Sequence, residues 1–170
     1  MNGFNLRYVL ALSFVSAMGG LLFGYDWVVI GGAKPFYELY FELKGSPSLQ
    51  GWAMSSALVG CLTGAAVAGS LSDRLGRKLL LILSGALFTL SAFGTGYADY
   101  FTPFVIYRIL GGIAIGLAST LSPMYIAEVS PAQIRDRFVS LNQLTIVIGI
   151  LAAQIANWQI AQPVPEGYTD

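Results

Sequence analysis

The chain has no histidine, a single cysteine and few charges. Without histidine it lacks both the commonest metal ligand and the commonest general base, which argues against a hydrolytic or metal-dependent enzyme. Any proton chemistry therefore falls to carboxylates, and no metal site or cofactor is expected. Cys61 has no partner for an internal disulfide, and its apolar, small-residue surroundings give it a packing role. Charged residues make up 11% of the sequence, against about 25% in ordinary globular chains. Nine basic and nine acidic side chains cancel, so nucleic acid has no electrostatic reason to bind.

What fills the chain is apolar: 55% of its 170 residues are hydrophobic. Spanning a bilayer takes about 20 mainly apolar residues. Five segments qualify, at roughly 8–30, 51–71, 79–98, 103–127 and 138–160, so the fold class is an all-α membrane protein of five transmembrane helices. The first apolar run is too long for a cleaved signal peptide and is expected to remain as a helix. The breaks are short. Residues 33–48 mix charges with aromatics and are expected to carry the first helix outward before a turn at Gly45 and Pro47. Pro131 breaks the charged stretch from Glu128 to Arg137, and residues 162–170 read as an extracytoplasmic loop or tail.

Between the second and third spans lies Gly69-Ser-Leu-Ser-Asp73-Arg74-Leu-Gly76-Arg77-Lys78. Arginine and lysine in short loops favour the cytoplasmic side. With the amino terminus inside, Arg7, Arg74, Arg77, Lys78, Arg135 and Arg137 face the cytoplasm and only Lys34 and Lys44 lie outside. That six-to-two bias sets the orientation. Small residues recur every four positions at Ser16, Gly20 and Gly24, at Gly60, Gly64 and Ala68, and at Gly112 and Gly116. Such stripes let helix backbones approach closely and point to a packed bundle.

Asp26 and Arg108 are the only charges well inside the predicted spans. Charge in hydrocarbon is expensive and normally faces a protein interior or a watery cavity with a partner. Counted from Ile30 and Pro103, both sit some 6–8 Å below the same surface at about 1.5 Å per residue. They read as a pair, either a static bridge fixing helix register or a protonation switch. A second group gathers at the cytoplasmic face: Asp73, Gly76, Arg77, Glu128, Arg135, Asp136 and Arg137. It is either a latch between loops or ordinary solvated charge. The fifth span carries Asn142, Gln143, Gln154 and Asn157, with Gln143, Val147, Ile150 and Gln154 on one stripe. These amides suit interhelical hydrogen bonds or a sugar's hydroxyl pair equally well.

Three blocks resemble the sugar porter family of the major facilitator superfamily. They are Gly20-Leu-Leu-Phe23-Gly-Tyr-Asp26, then Asp73-Arg-Leu-Gly76-Arg77-Lys78, then the run from Arg108 through Gly112, Gly116, Pro123, Tyr125, Glu128, Pro131 and Arg135 to Asn142-Gln143. Their order and spacing cover nearly all of the chain and are most similar to bacterial xylose–proton symporters. The resemblance implies proton coupling at Asp26 with Arg108, sugar contacts at Phe23, Gln143 and Ile146, and a cytoplasmic gate of Asp73, Gly76, Arg77, Glu128 and Arg135. An aspartate at position 26, where facilitative relatives tend to have an amide, favours symport over uniport. A monosaccharide, a proton and the bilayer are then the partners, and a bacterial inner membrane the expected location. Two positions depart from the pattern. Asp136 stands where the family usually has glycine, and Ile150 where some xylose transporters have a polar residue, so neither the full gate nor xylose specificity carries over. The resemblance reaches only the first five of twelve helices. The chain is thus expected to be an amino-terminal portion, with most sugar contacts in the missing half. A facilitative uniporter and a non-transporting sugar sensor on the same scaffold are the alternatives.

Overall fold

A computed structural model describes residues 6–161. The expected tail at 162–170 lies outside the described residues. Five helices form α1 (Leu6–Tyr40), α2 (Pro47–Leu75), α3 (Arg77–Gly96), α4 (Phe101–Val129) and α5 (Arg135–Ile160), with one 3-10 turn at Leu43–Gly45. All five are long and apolar enough to cross a membrane. Every helix runs beyond its apolar core at one or both ends. The reason is physical: hydropathy marks what lies in hydrocarbon, whereas backbone hydrogen bonding carries a helix on into polar sequence. The difference is largest in α1, which continues ten residues past Ile30 through Pro35.

Aromatic packing secures that extension. Tyr37 and Phe41 set their rings 5.5 and 5.3 Å from Phe104, and Phe41 also meets Phe101 at 6.0 Å. Together with Ile30, Leu43 and Ala53 they make a cluster at one end of the bundle, here called the aromatic end. The opposite, basic end holds two further clusters. One joins Val9, Ala17, Ile126 and Phe138 across α1, α4 and α5. The other joins Ala68, Leu80, Leu117 and Leu121 across α2, α3 and α4.

Helix α4 is the hub. α2 and α3 pack on one side of it, α1 on another, and α5 packs mainly on α1. The glycines explain the closeness of these pairs. A Cβ on Gly112 would land on the Ala57 carbonyl oxygen, and one on Gly60 on the Ile109 carbonyl oxygen. Between α1 and α5, Gly24 faces the Ile146 carbonyl and Gly149 the Leu21 carbonyl in the same way. Outward-facing side chains remain apolar: Leu62, Ile82 and Phe93 are all exposed. A lipid-facing surface requires this, since water-facing helices would be polar on that side.

Gly76 alone separates α2 from α3. Its φ of 84° lies in the region glycine reaches without penalty, and its amide donates to the Ser72 carbonyl at 2.9 Å.

Substituting Gly112→Val is expected to overpack the α2–α4 contact and cost about 1–3 kcal/mol. Gly85→Ala, where an added Cβ meets nothing within 4 Å, serves as the neutral control. Thermal unfolding of the full-length protein in detergent reads both.

Candidate functional site

Asp26 on α1 and Arg108 on α4 meet directly. Arg108 Nη1 donates to Asp26 Oδ1 at 2.9 Å and to Oδ2 at 3.1 Å. One nitrogen thus serves both oxygens, and the guanidinium does not use its paired-fork geometry. Arg108 is buried, with a side chain 8% exposed, whereas the Asp26 side chain is 18% exposed.

The exposure of Asp26 has a specific direction. α1 and α2 barely touch, and the gap between them is a cavity of about 260 Å³. α1 lines it with Phe23, Asp26 and Trp27, α2 with Leu58 and Cys61, and α4 with Gly112 and Ile115. Phe23 and the carboxylate therefore share one cavity. Gln143 and Ile146 are not among its walls: they sit on α5, which packs against the Gly20–Gly24 face of α1. Ile146 is half-buried there, and Gln143 is exposed.

The fifth-helix amides divide into two kinds. Asn142 is buried, and its Oδ1 accepts from Ser122 Oγ at 3.0 Å. Asn157 Nδ2 donates to the Val28 carbonyl at 3.0 Å. Thr145 Oγ1 adds a donation to the Ala17 carbonyl at 2.6 Å. These three groups bind α5 to its neighbours. Gln143 and Gln154 point away from the bundle on one exposed stripe with Val147 and Ile150. Sequence reasoning passes over Trp27, although an indole four residues past Phe23, on the same face of α1, is a visible signal.

At the basic end Arg77 bridges the ends of α2 and α4. Its Nε lies 2.9 Å from Glu128 Oε1 at the end of α4, and its Nη2 lies 3.6 Å from Asp73 Oδ1. Gly76 supplies the turn that places Arg77 there. Arg135 stays outside the cluster: among the described residues no salt bridge reaches Arg135, Asp136 or Arg137. Asp136 has a local role instead. It sits in the first turn of α5, where a negative charge offsets the helix dipole.

A profile of the family described as "Sugar (and other) transporter" matches residues 12–168. The chain belongs to this sugar transporter family. The glucose transport protein of Synechocystis sp. is 46% identical over 157 residues, covering 92% of this chain and 33% of that protein. The D-xylose-proton symporter of Escherichia coli is 39% identical over 183 residues, covering 94% and 37%. A solved structure of the major facilitator superfamily proton:xylose symporter XylE, bound to 6-bromo-6-deoxy-D-glucose, superimposes with TM-score 0.87 at 40% identity. It covers 94% of this chain and 39% of that one. An inward-open structure of XylE from E. coli gives 0.84 over 91% and 40%. The chain thus spans between a third and two fifths of the relatives it matches. Its fold matches the amino-terminal part of a major facilitator bundle, and these relatives are multi-pass membrane transporters.

Breaking the intramembrane pair from one side is expected to be costly. Asp26→Ala leaves a buried guanidinium alone and should lower stability by about 3 kcal/mol. Adding Arg108→Leu to it should recover much of that loss. Unfolding midpoints of the single and double variants of the full-length protein make the comparison.

Proposed function

We propose that the full-length protein carrying this chain moves a monosaccharide across the membrane together with a proton. The observation that carries the reading is the position of the Asp26 carboxylate, paired with Arg108 yet bordering a cavity. A charged pair joining α1 to α4 resists their relative movement. Protonating Asp26 removes its charge, loosens its hold on Arg108 and frees the two helices to shift. Alternating access, in which two helix bundles rock around a site near the membrane midplane, needs such a release. A facilitative uniporter would have no need of a titratable group here. The reading involves no covalent chemistry and no cofactor.

In this scheme the sugar lies near Phe23, Gln143 and Ile146, facing the remainder of the protein. The exposed placement of Gln143 supports this, since an amide turned away from its own bundle is free to meet hydroxyl groups. Arg77 with Glu128 and Asp73 latches one end and is released as the bundle rocks. The six-to-two basic bias supports a cytoplasmic location for that end and for the amino terminus. A bacterial inner membrane is the matching location, and nucleic acid has no part in it.

Asp26→Asn, in the full-length protein reconstituted into vesicles, is expected to abolish sugar accumulation driven by a proton gradient. Equilibrium sugar exchange should survive. Persistent concentrative uptake in the variant would remove Asp26 from the coupling role.

A further inference from the structure

Trp27, on the α1 wall of the cavity, is accounted for neither by the apolar clusters nor by the ion pair. It follows Asp26 directly and sits four residues after Phe23, so the two aromatics share one face of α1, one turn apart. Its side chain is 56% exposed. Among the described residues no group accepts a hydrogen bond from its indole and no ring stacks on it. Tryptophan in membrane proteins collects at the two interfaces. Trp27 instead lines the cavity beside Asp26, together with Phe23.

We propose that Trp27 forms the stacking wall of the sugar site, taking the C–H face of a pyranose ring against the indole. The inference rests on the transport reading above and names a contact that reading leaves out. The chemistry matches on three counts. A pyranose presents weakly positive C–H bonds on its ring face, and the indole face is negative. Its rim of hydroxyls accepts from an indole N–H, satisfying the donor that lacks a partner. The cavity, at about 260 Å³, lies just below the usual range for small-molecule pockets of roughly 300–1,000 Å³. It therefore suits one sugar ring and not two. Phe23, a turn below, closes the apolar floor, and Asp26 between them puts the titrating group within reach of the bound sugar.

The test uses the full-length protein in vesicles, with D-glucose and D-xylose as probes. Trp27→Leu removes the aromatic face and should raise KM roughly three- to tenfold, the range expected for loss of an aromatic contact. Proton-driven accumulation should persist, because Asp26 and Arg108 are untouched. Trp27→Phe keeps a ring but loses the N–H, so its KM should fall between those of the unaltered protein and Trp27→Leu, which separates stacking from mere folding. In the unaltered protein, either sugar should slow alkylation of Cys61, on the same cavity wall, by N-ethylmaleimide, with Cys61→Ser identifying the labelled site. An unchanged KM in Trp27→Leu overturns the proposal, as does Cys61 labelling indifferent to a sugar that is transported. If the unaltered protein transports no monosaccharide, the transport reading itself fails, an outcome distinct from either of these.

Discussion

Helices in lipid gain nothing by hiding apolar side chains from one another, because the lipid is equally apolar. What holds them is how nearly their backbones can approach, and the rest of this structure depends on that. Gly60, Gly64, Gly112 and Gly116 bring α2 and α4 into backbone contact, and Gly20, Gly24 and Gly149 do the same for α1 and α5. The same solution is used twice, on two pairs of helices that flank the charged contact of α1 with α4. Where the backbones are not drawn together, between α1 and α2, a cavity opens. Close packing and open space follow from one distribution of glycine.

The charged pair depends on that frame. A guanidinium 8% exposed and a carboxylate 18% exposed are tolerable only because each supplies the other's counter-charge. The asymmetry matters more than the pairing. Arg108 is enclosed, while Asp26 retains a path to the cavity, so of the two it is the aspartate that solvent or ligand reaches. This is the arrangement a transported proton would require, and it comes from α1 standing clear of α2.

Much of the fold was legible because hydrocarbon imposes simple rules. The five spans followed from runs of apolar residues, and the meeting of Asp26 with Arg108 followed from the expense of leaving either charge alone. The outward run of α1 and the turn before Pro47 were legible too, but not what secures them: Tyr37 and Phe41 pack on Phe104, a contact no hydropathy pattern records. Asn142 and Gln143 show the limit most clearly. They are adjacent amides of nearly identical chemistry, yet one is buried against Ser122 and the other faces outward. Only the side of α5 that meets α1 decides between them, and that is a property of the assembled bundle. Arg135 shows a related limit: among the described residues no salt bridge reaches it. Its charge and neighbourhood suit the cluster, but it opens α5 and pairs with neither Glu128 nor Asp73.

The link at Gly76 has a mechanical meaning of its own. One residue is too short to act as a flexible tether, so α2 and α3 are coupled like two arms of a bent lever with Gly76 at the elbow. Arg77 sits beside that elbow, so its 2.9 Å contact with Glu128 ties the bend between α2 and α3, and not either helix alone, to the end of α4.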